Sequence, residues 1–138
     1  MRFLLIFLLL IPLSVRAEDA PITGTYSSLY YNEEGGDLLG AEVTIIKRAK
    51  GYEAEFQVAQ GGRPDKVTVP VSVKGNRISF TIPNPEDGSG FYSGKIIKAG
   101  LFLYDGSDLS ALTQRNPSKP FLLKRKCSYW AKCGKHPG

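Results

Sequence analysis

Hydrophobic and polar residues alternate with a period of two through most of the chain. In residues 52–58, Tyr52, Ala54, Phe56 and Val58 fall on one side, with Glu53, Glu55 and Gln57 on the other. Residues 66–73 set Val67, Val69, Val71 and Val73 against Lys66, Thr68, Pro70 and Ser72, and residues 77–82 align Ile78, Phe80 and Ile82. Successive side chains of a strand point to opposite faces, so each segment predicts a strand with one dry and one wet face. The β-branched and aromatic content suits a pleated surface. Turn-forming stretches separate these segments: EEGGD at 33–37, RAKG at 48–51, GGRPD at 61–65, KGN at 74–76, PNPEDGSG at 83–90 and KAG at 98–100. Gly, Pro, Asn and Asp there tolerate positive φ or fix a bend.

The pattern predicts eight strands, near 22–31, 39–48, 51–60, 66–73, 76–82, 90–97, 100–104 and 120–126. Pro70 falls mid-strand on the wet side and has no N–H, so it belongs at an edge or a bulge. The alternation fails over 106–120, where Ser107 caps a predicted short helix through Thr113 with Leu109 and Leu112 on one side. The Asn-Pro and Lys-Pro steps that follow end it. Short strands joined by tight hairpins favour closure, which leaves no unpaired edge. The expected fold is all-β: an eight-stranded antiparallel up-and-down β-barrel with one short helix before the last strand. A two-sheet β-sandwich is the alternative.

The first residues read differently. Arg2, an apolar run from Phe3 to Leu13, and Val15-Arg16-Ala17 have the three-part layout of a secretory signal peptide. The run falls short of the roughly 18 apolar residues of a spanning helix. Cleavage is expected after Ala17, which divides the chain into a signal peptide at 1–17, a barrel domain at 18–126 and a basic tail at 127–138. The expected location is exported, either periplasmic or secreted, with no transmembrane segment in the mature chain.

Charge sharpens this division. The chain has eighteen Lys and Arg against thirteen Asp and Glu, for a net charge of +5. From Arg115 onward there are seven Lys or Arg and no acid. In an exported chain, Cys127 and Cys133 are expected to pair as a disulfide. The loop is small, so the link is worth only about 2 kcal/mol in the chain-entropy model and shapes the tail rather than the domain. Cys127, Cys133 and His136 offer three metal-ligand types, but oxidation removes two of them, so neither a metal nor a cofactor is expected.

Catalytic signatures are missing. The chain has one histidine and carries no G-x-S-x-G elbow, phosphate loop or H-E-x-x-H. Glu53 and Glu55 point the same way but read as a solvated wet face rather than a glycosidase pair. No enzyme is expected. Nucleic acid is a poor partner for an exported chain whose body is net acidic.

Gly24-Thr25-Tyr26 in the first strand, seven further meander strands, a short helix before the last strand and Leu122-Leu123-Lys124-Arg125 near the end resemble a small lipocalin-like barrel. That family places Gly-x-Trp in the first strand, with a basic residue of the last strand packed over the tryptophan. The resemblance implies Tyr26 and Arg125 at those positions, tyrosine replacing tryptophan. Residues 88–95 (GSGFYSGK) are also similar to the Ser-Gly-x-x-Tyr stretch of periplasmic lysozyme inhibitors. Ser89-Gly90 stands too close to Tyr92, however, and no Trp-x-Lys-Gly follows.

Two sites follow as expectations. The dry face (Tyr26, Val43, Ile45, Phe56, Val58, Val69, Val71, Phe80, Tyr92, Ile96, Leu101 and Leu103) would line the barrel, with Gly24, Gly94 and Ala54 leaving space. An eight-stranded barrel either fills with its own side chains or holds one small ligand, and a small apolar ligand would contact Tyr26, Phe56, Phe80 and Tyr92. The tail residues Lys124, Arg125, Lys126, Tyr129, Trp130 and Lys132 mix cations with aromatic rings, a composition suited to an anionic envelope surface or a protein partner. The expected function is an exported, non-catalytic binding protein holding a small apolar ligand in its barrel. The alternative is a protein-binding module or inhibitor acting through its loops in the cell envelope.

Overall fold

A computed structural model describes residues 21–83, 90–105 and 121–131. The signal peptide, the helix expected over 107–113, the 84–89 loop, and Lys132, Cys133 and His136 lie outside the described residues.

Among the described residues nine strands form one antiparallel sheet: β1 (Gly24–Ser27), β2 (Tyr30–Asn32), β3 (Asp37–Arg48), β4 (Gly51–Gly61), β5 (Val67–Lys74), β6 (Arg77–Thr81), β7 (Phe91–Ile97), β8 (Gly100–Asp105) and β9 (Phe121–Arg125). Each strand from β3 to β9 pairs with the next. Strand β1 pairs with both β3 and β9 and closes an eight-stranded barrel. Closure rules out the sandwich. Strand β2 continues the first strand along β3, with Tyr30 opposite Leu39.

The first strand, expected as one run over 22–31, is broken at Ser28. Ser28 N–H donates to the Ala41 carbonyl (2.8 Å), and its side-chain hydroxyl accepts from Ala41 N–H (3.0 Å). The Ser28 carbonyl lies against Gly40, where a Cβ would come within 2.5 Å of it. Gly40 sits at φ 107°, a conformation open to glycine at little cost.

Inward-facing residues follow the predicted alternation. Tyr26, Val43, Ile45, Phe56, Val69, Val71, Phe80, Ile96, Leu101 and Leu103 belong to one buried core. Val58 departs from it: it shares the Phe56 face but is 38% exposed. The β4–β5 ladder ends at Phe56↔Val67, so no β5 residue lies beside Val58. Glu53 and Glu55 occupy the wet face, with ion pairs to Arg48 (3.0 Å) and Lys66 (2.9 Å). Among the described residues, no helix is long and apolar enough to cross a membrane.

Candidate functional site

Three places merit comparison: the barrel interior, the C-terminal segment, and the outer face of β5–β8.

Inside the barrel, Phe56, Phe80 and Tyr92 touch one another, with ring centroids 4.7–5.5 Å apart. Two of the small residues expected to leave space have neighbours against them. A Cβ on Gly94 would meet Leu101 Cδ1 at 2.7 Å, and one on Gly24 would meet an Arg125 guanidinium nitrogen at 2.8 Å. At one end Arg125 stacks over the Tyr26 ring, 4.8 Å from its centroid, and donates to the Tyr26 hydroxyl (2.5 Å) and the Thr23 carbonyl (3.0 Å). It also donates to the Pro21 carbonyl. Tyr26 in turn donates to the Ile22 carbonyl (2.9 Å). Burial pushes the Tyr26 phenol above its ordinary pKa, and the nearby Arg125 charge partly offsets that rise. Of the four interior residues, the structure brings Phe56, Phe80 and Tyr92 together and commits Tyr26 to Arg125.

The C-terminal segment lies on the outside of the wall. Outward positions of a barrel normally face water, yet Glu42 is only 2% exposed, and Ser27, Leu29, Leu38, Gln57 and Ala59 are buried with it. The segment supplies the cover. Tyr129 packs on Leu29, Leu38 and Ala59. The Glu42 carboxylate accepts from the Ser128 hydroxyl (2.6 Å), the Tyr129 N–H (2.8 Å) and the Gln57 side-chain amide (3.1 Å). The Trp130 ring meets Tyr129 edge-on at 5.1 Å, and the Arg63 guanidinium lies 5.1 Å from its centroid. Lys124 and Lys126 are exposed. Arg125 and Tyr129 of the expected contact surface are thus engaged by the barrel itself, while Trp130 remains 38% exposed.

The third place had no counterpart among the expected sites. The hairpin between β5 and β6 turns through Gly75 and Asn76, with Gly75 at φ 59° as a two-residue turn requires. The turn sets Lys74 directly opposite Arg77, and the next ladder sets Arg77 opposite Lys95. Directly opposed residues share a face, with Cβ atoms about 4.5–5.5 Å apart. Three cations therefore stand in a row across three strands. Among the described residues none of them enters an ion pair. Two residues along, Ser72, Ser79, Ser93 and Tyr104 form a second row by the same pairings. Phe91 and Tyr104 flank a cleft of about 480 Å³ over these rows. Like charges placed directly opposite are destabilising. A bound anion would remove that cost and accept hydrogen bonds from hydroxyl groups beside it.

The chain matches no family model, no curated protein sequence and no solved structure, so its function must be read from its own residues. The eight-stranded closed barrel is compatible in architecture with the lipocalin-like resemblance, and architecture alone assigns no function. Among the described residues, no group of three His, Cys, Asp or Glu is placed to hold a metal.

Proposed function

We propose that this chain is an exported, non-catalytic binding protein that takes an anionic ligand on the outer wall of its barrel, in the cleft over β5–β8. The observation that carries this reading is the row Lys74–Arg77–Lys95, whose mutual repulsion no described acid relieves. The hydroxyl row beside it supplies neutral donors, and Phe91 and Tyr104 supply apolar walls. A ligand held inside the barrel has less support, because Phe56, Phe80 and Tyr92 use their faces on one another. Export by cleavage after Ala17 and a Cys127–Cys133 disulfide belong to the same reading. The apolar run after Arg2 supports the first. Two cysteines with five residues between them, in a chain read as exported, support the second.

Calorimetric titration of the mature protein with inorganic pyrophosphate tests this reading. Each cation beside an anionic group is worth about fivefold in affinity, so Arg77→Gln and Lys95→Gln should each weaken binding by roughly that factor. Salt should weaken it as well, because screening shortens from about 10 Å at 0.1 M to about 3 Å at 1 M ionic strength. Absence of binding at low salt, or equal affinity in the double variant, would overturn the proposal.

A further inference from the structure

The cleft has a second feature that bears on its ligand. The ladder between β5 and β6 covers only Ser72↔Ser79, Val73↔Ile78 and Lys74↔Arg77. Beyond Ser72 and Ser79 the two strands stay paired to their other neighbours, β5 to β4 as far as Val67 and β6 to β7 as far as Thr81. A seam therefore opens in the barrel wall. Its origin is legible in the sequence. Continuing the register would set Pro70 opposite Thr81, and Pro70 has no N–H to give. Pro70 pairs with Glu53 on its β4 side, so its missing donor falls on the β6 side. The seam is lined by Pro70, Val71, Phe80, Thr81 and Phe91, and it shares Ser72, Ser79 and Phe91 with the cation-bearing cleft.

Resting on the anion-binding reading above, we infer that the ligand is a single-chain anionic amphiphile, its headgroup on Lys74, Arg77 and Lys95 and its chain along the Pro70–Phe80 seam. The chemistry changes along the strands in the order such a molecule needs. The cation row comes first, the hydroxyl row follows about 7 Å further on, and Phe91 stands about 13 Å from Lys95 along β7, at roughly 3.3 Å per residue. Val71 and Phe80 belong to the buried core, so a chain in the seam meets the edge of that core without entering the packed ring cluster. A free inorganic anion would use the rows but would gain nothing from the seam.

The experiment compares dodecyl phosphate, inorganic phosphate and dodecanol, each below its aggregation concentration, binding to the mature protein. Burying as few as two methylenes is worth roughly tenfold in affinity, so dodecyl phosphate should bind at least ten times more tightly than inorganic phosphate. Arg77→Gln should weaken both phosphates. Phe91→Ala should weaken dodecyl phosphate alone. Pro70→Thr restores the donor that lets β5 zip to β6, so it should also weaken dodecyl phosphate alone while leaving the fold intact. Equal affinity for the two phosphates would refute the amphiphile and leave the anion site standing. Dodecanol binding as tightly as dodecyl phosphate would refute the headgroup assignment. Unchanged dodecyl phosphate affinity in Pro70→Thr would remove the seam from the site. Binding of neither phosphate would defeat the anion-binding reading itself.

Discussion

Replacing Glu42 with alanine isolates what holds the C-terminal segment to the wall. Two of the three donors on the Glu42 carboxylate, the Ser128 hydroxyl and the Tyr129 N–H, belong to that segment. The third, from Gln57, belongs to β4. A hydrogen bond to a charged group contributes about 1.5–3 kcal/mol net. Losing both tail bonds would cost roughly 3–6 kcal/mol if they were independent. They share one carboxylate, and released donors recover bonds to water, so the lower figure of about 3 kcal/mol applies. The contact of Tyr129 with Leu29, Leu38 and Ala59 remains. About 3 kcal/mol is two orders of magnitude in the equilibrium for release of the segment. The barrel is closed by β1–β9 pairing, which does not involve residues 127–131, so the loss should be local. Hydrogen exchange at the Tyr129 amide should quicken about 100-fold, while core amides such as those of Val43 and Phe56 change by no more than a fewfold. Trp130 is the only tryptophan, so its emission reports the same release without a label. If exchange at Tyr129 stays within threefold of wild type and Trp130 emission is unmoved, Glu42 is not the anchor.

The other predictions concern the barrel end, the core and the tail link. The raised pKa of Tyr26 means that the fold favours the neutral phenol; its contribution is complete below the ordinary value of 10.0 and is lost as pH rises toward the elevated one. Alkaline denaturation should therefore steepen above pH 10 in wild type and less so in Tyr26→Phe; superimposable alkaline profiles would contradict this. Phe80→Ala should lower stability by about 3–5 kcal/mol in denaturant unfolding, because Phe56 and Tyr92 lose a ring neighbour and a cavity is left. A loss under 1 kcal/mol would mean the interior is not packed as described. Intact-mass measurement of freshly isolated, unreduced protein should show a chain beginning at Glu18 with Cys127 and Cys133 linked, whereas a chain retaining Met1 or two free thiols counts against export and the disulfide.

Much of the barrel was readable because the period-two pattern reports burial directly. The alternation of Val69, Val71, Ile78 and Phe80 placed those residues inward, and the strand ends fell near the Gly- and Pro-containing turns. Pro70 marks an edge or a bulge, and the β5–β6 ladder stops short of it at Ser72↔Ser79. Arg125 over Tyr26 followed from the lipocalin-like resemblance, not from the pattern. Glu42 escaped notice for a physical reason. Its alternation marks it as outward and therefore wet, and nothing local shows that a segment 86 residues later in the chain will cover it. The cation row escaped for a related one. Lys74 and Arg77 flank a legible turn, but Lys95 joins them only through the β6–β7 register, which local sequence does not determine. Val58 was misread because alternation gives the face a residue points to, not whether a neighbouring strand reaches far enough to cover it.

The outer-wall site is tested most directly by following backbone amide resonances of the mature protein as dodecyl phosphate is added at low salt. Shifts should concentrate on Ser72, Lys74, Arg77, Ser79, Ser93 and Lys95, with Phe91 and Thr81 moving for dodecyl phosphate but not for inorganic phosphate. Shifts centred instead on Val43, Phe56 and Ile96 inside the barrel, with the β5–β8 outer face silent, would contradict the assignment and return the ligand to the interior.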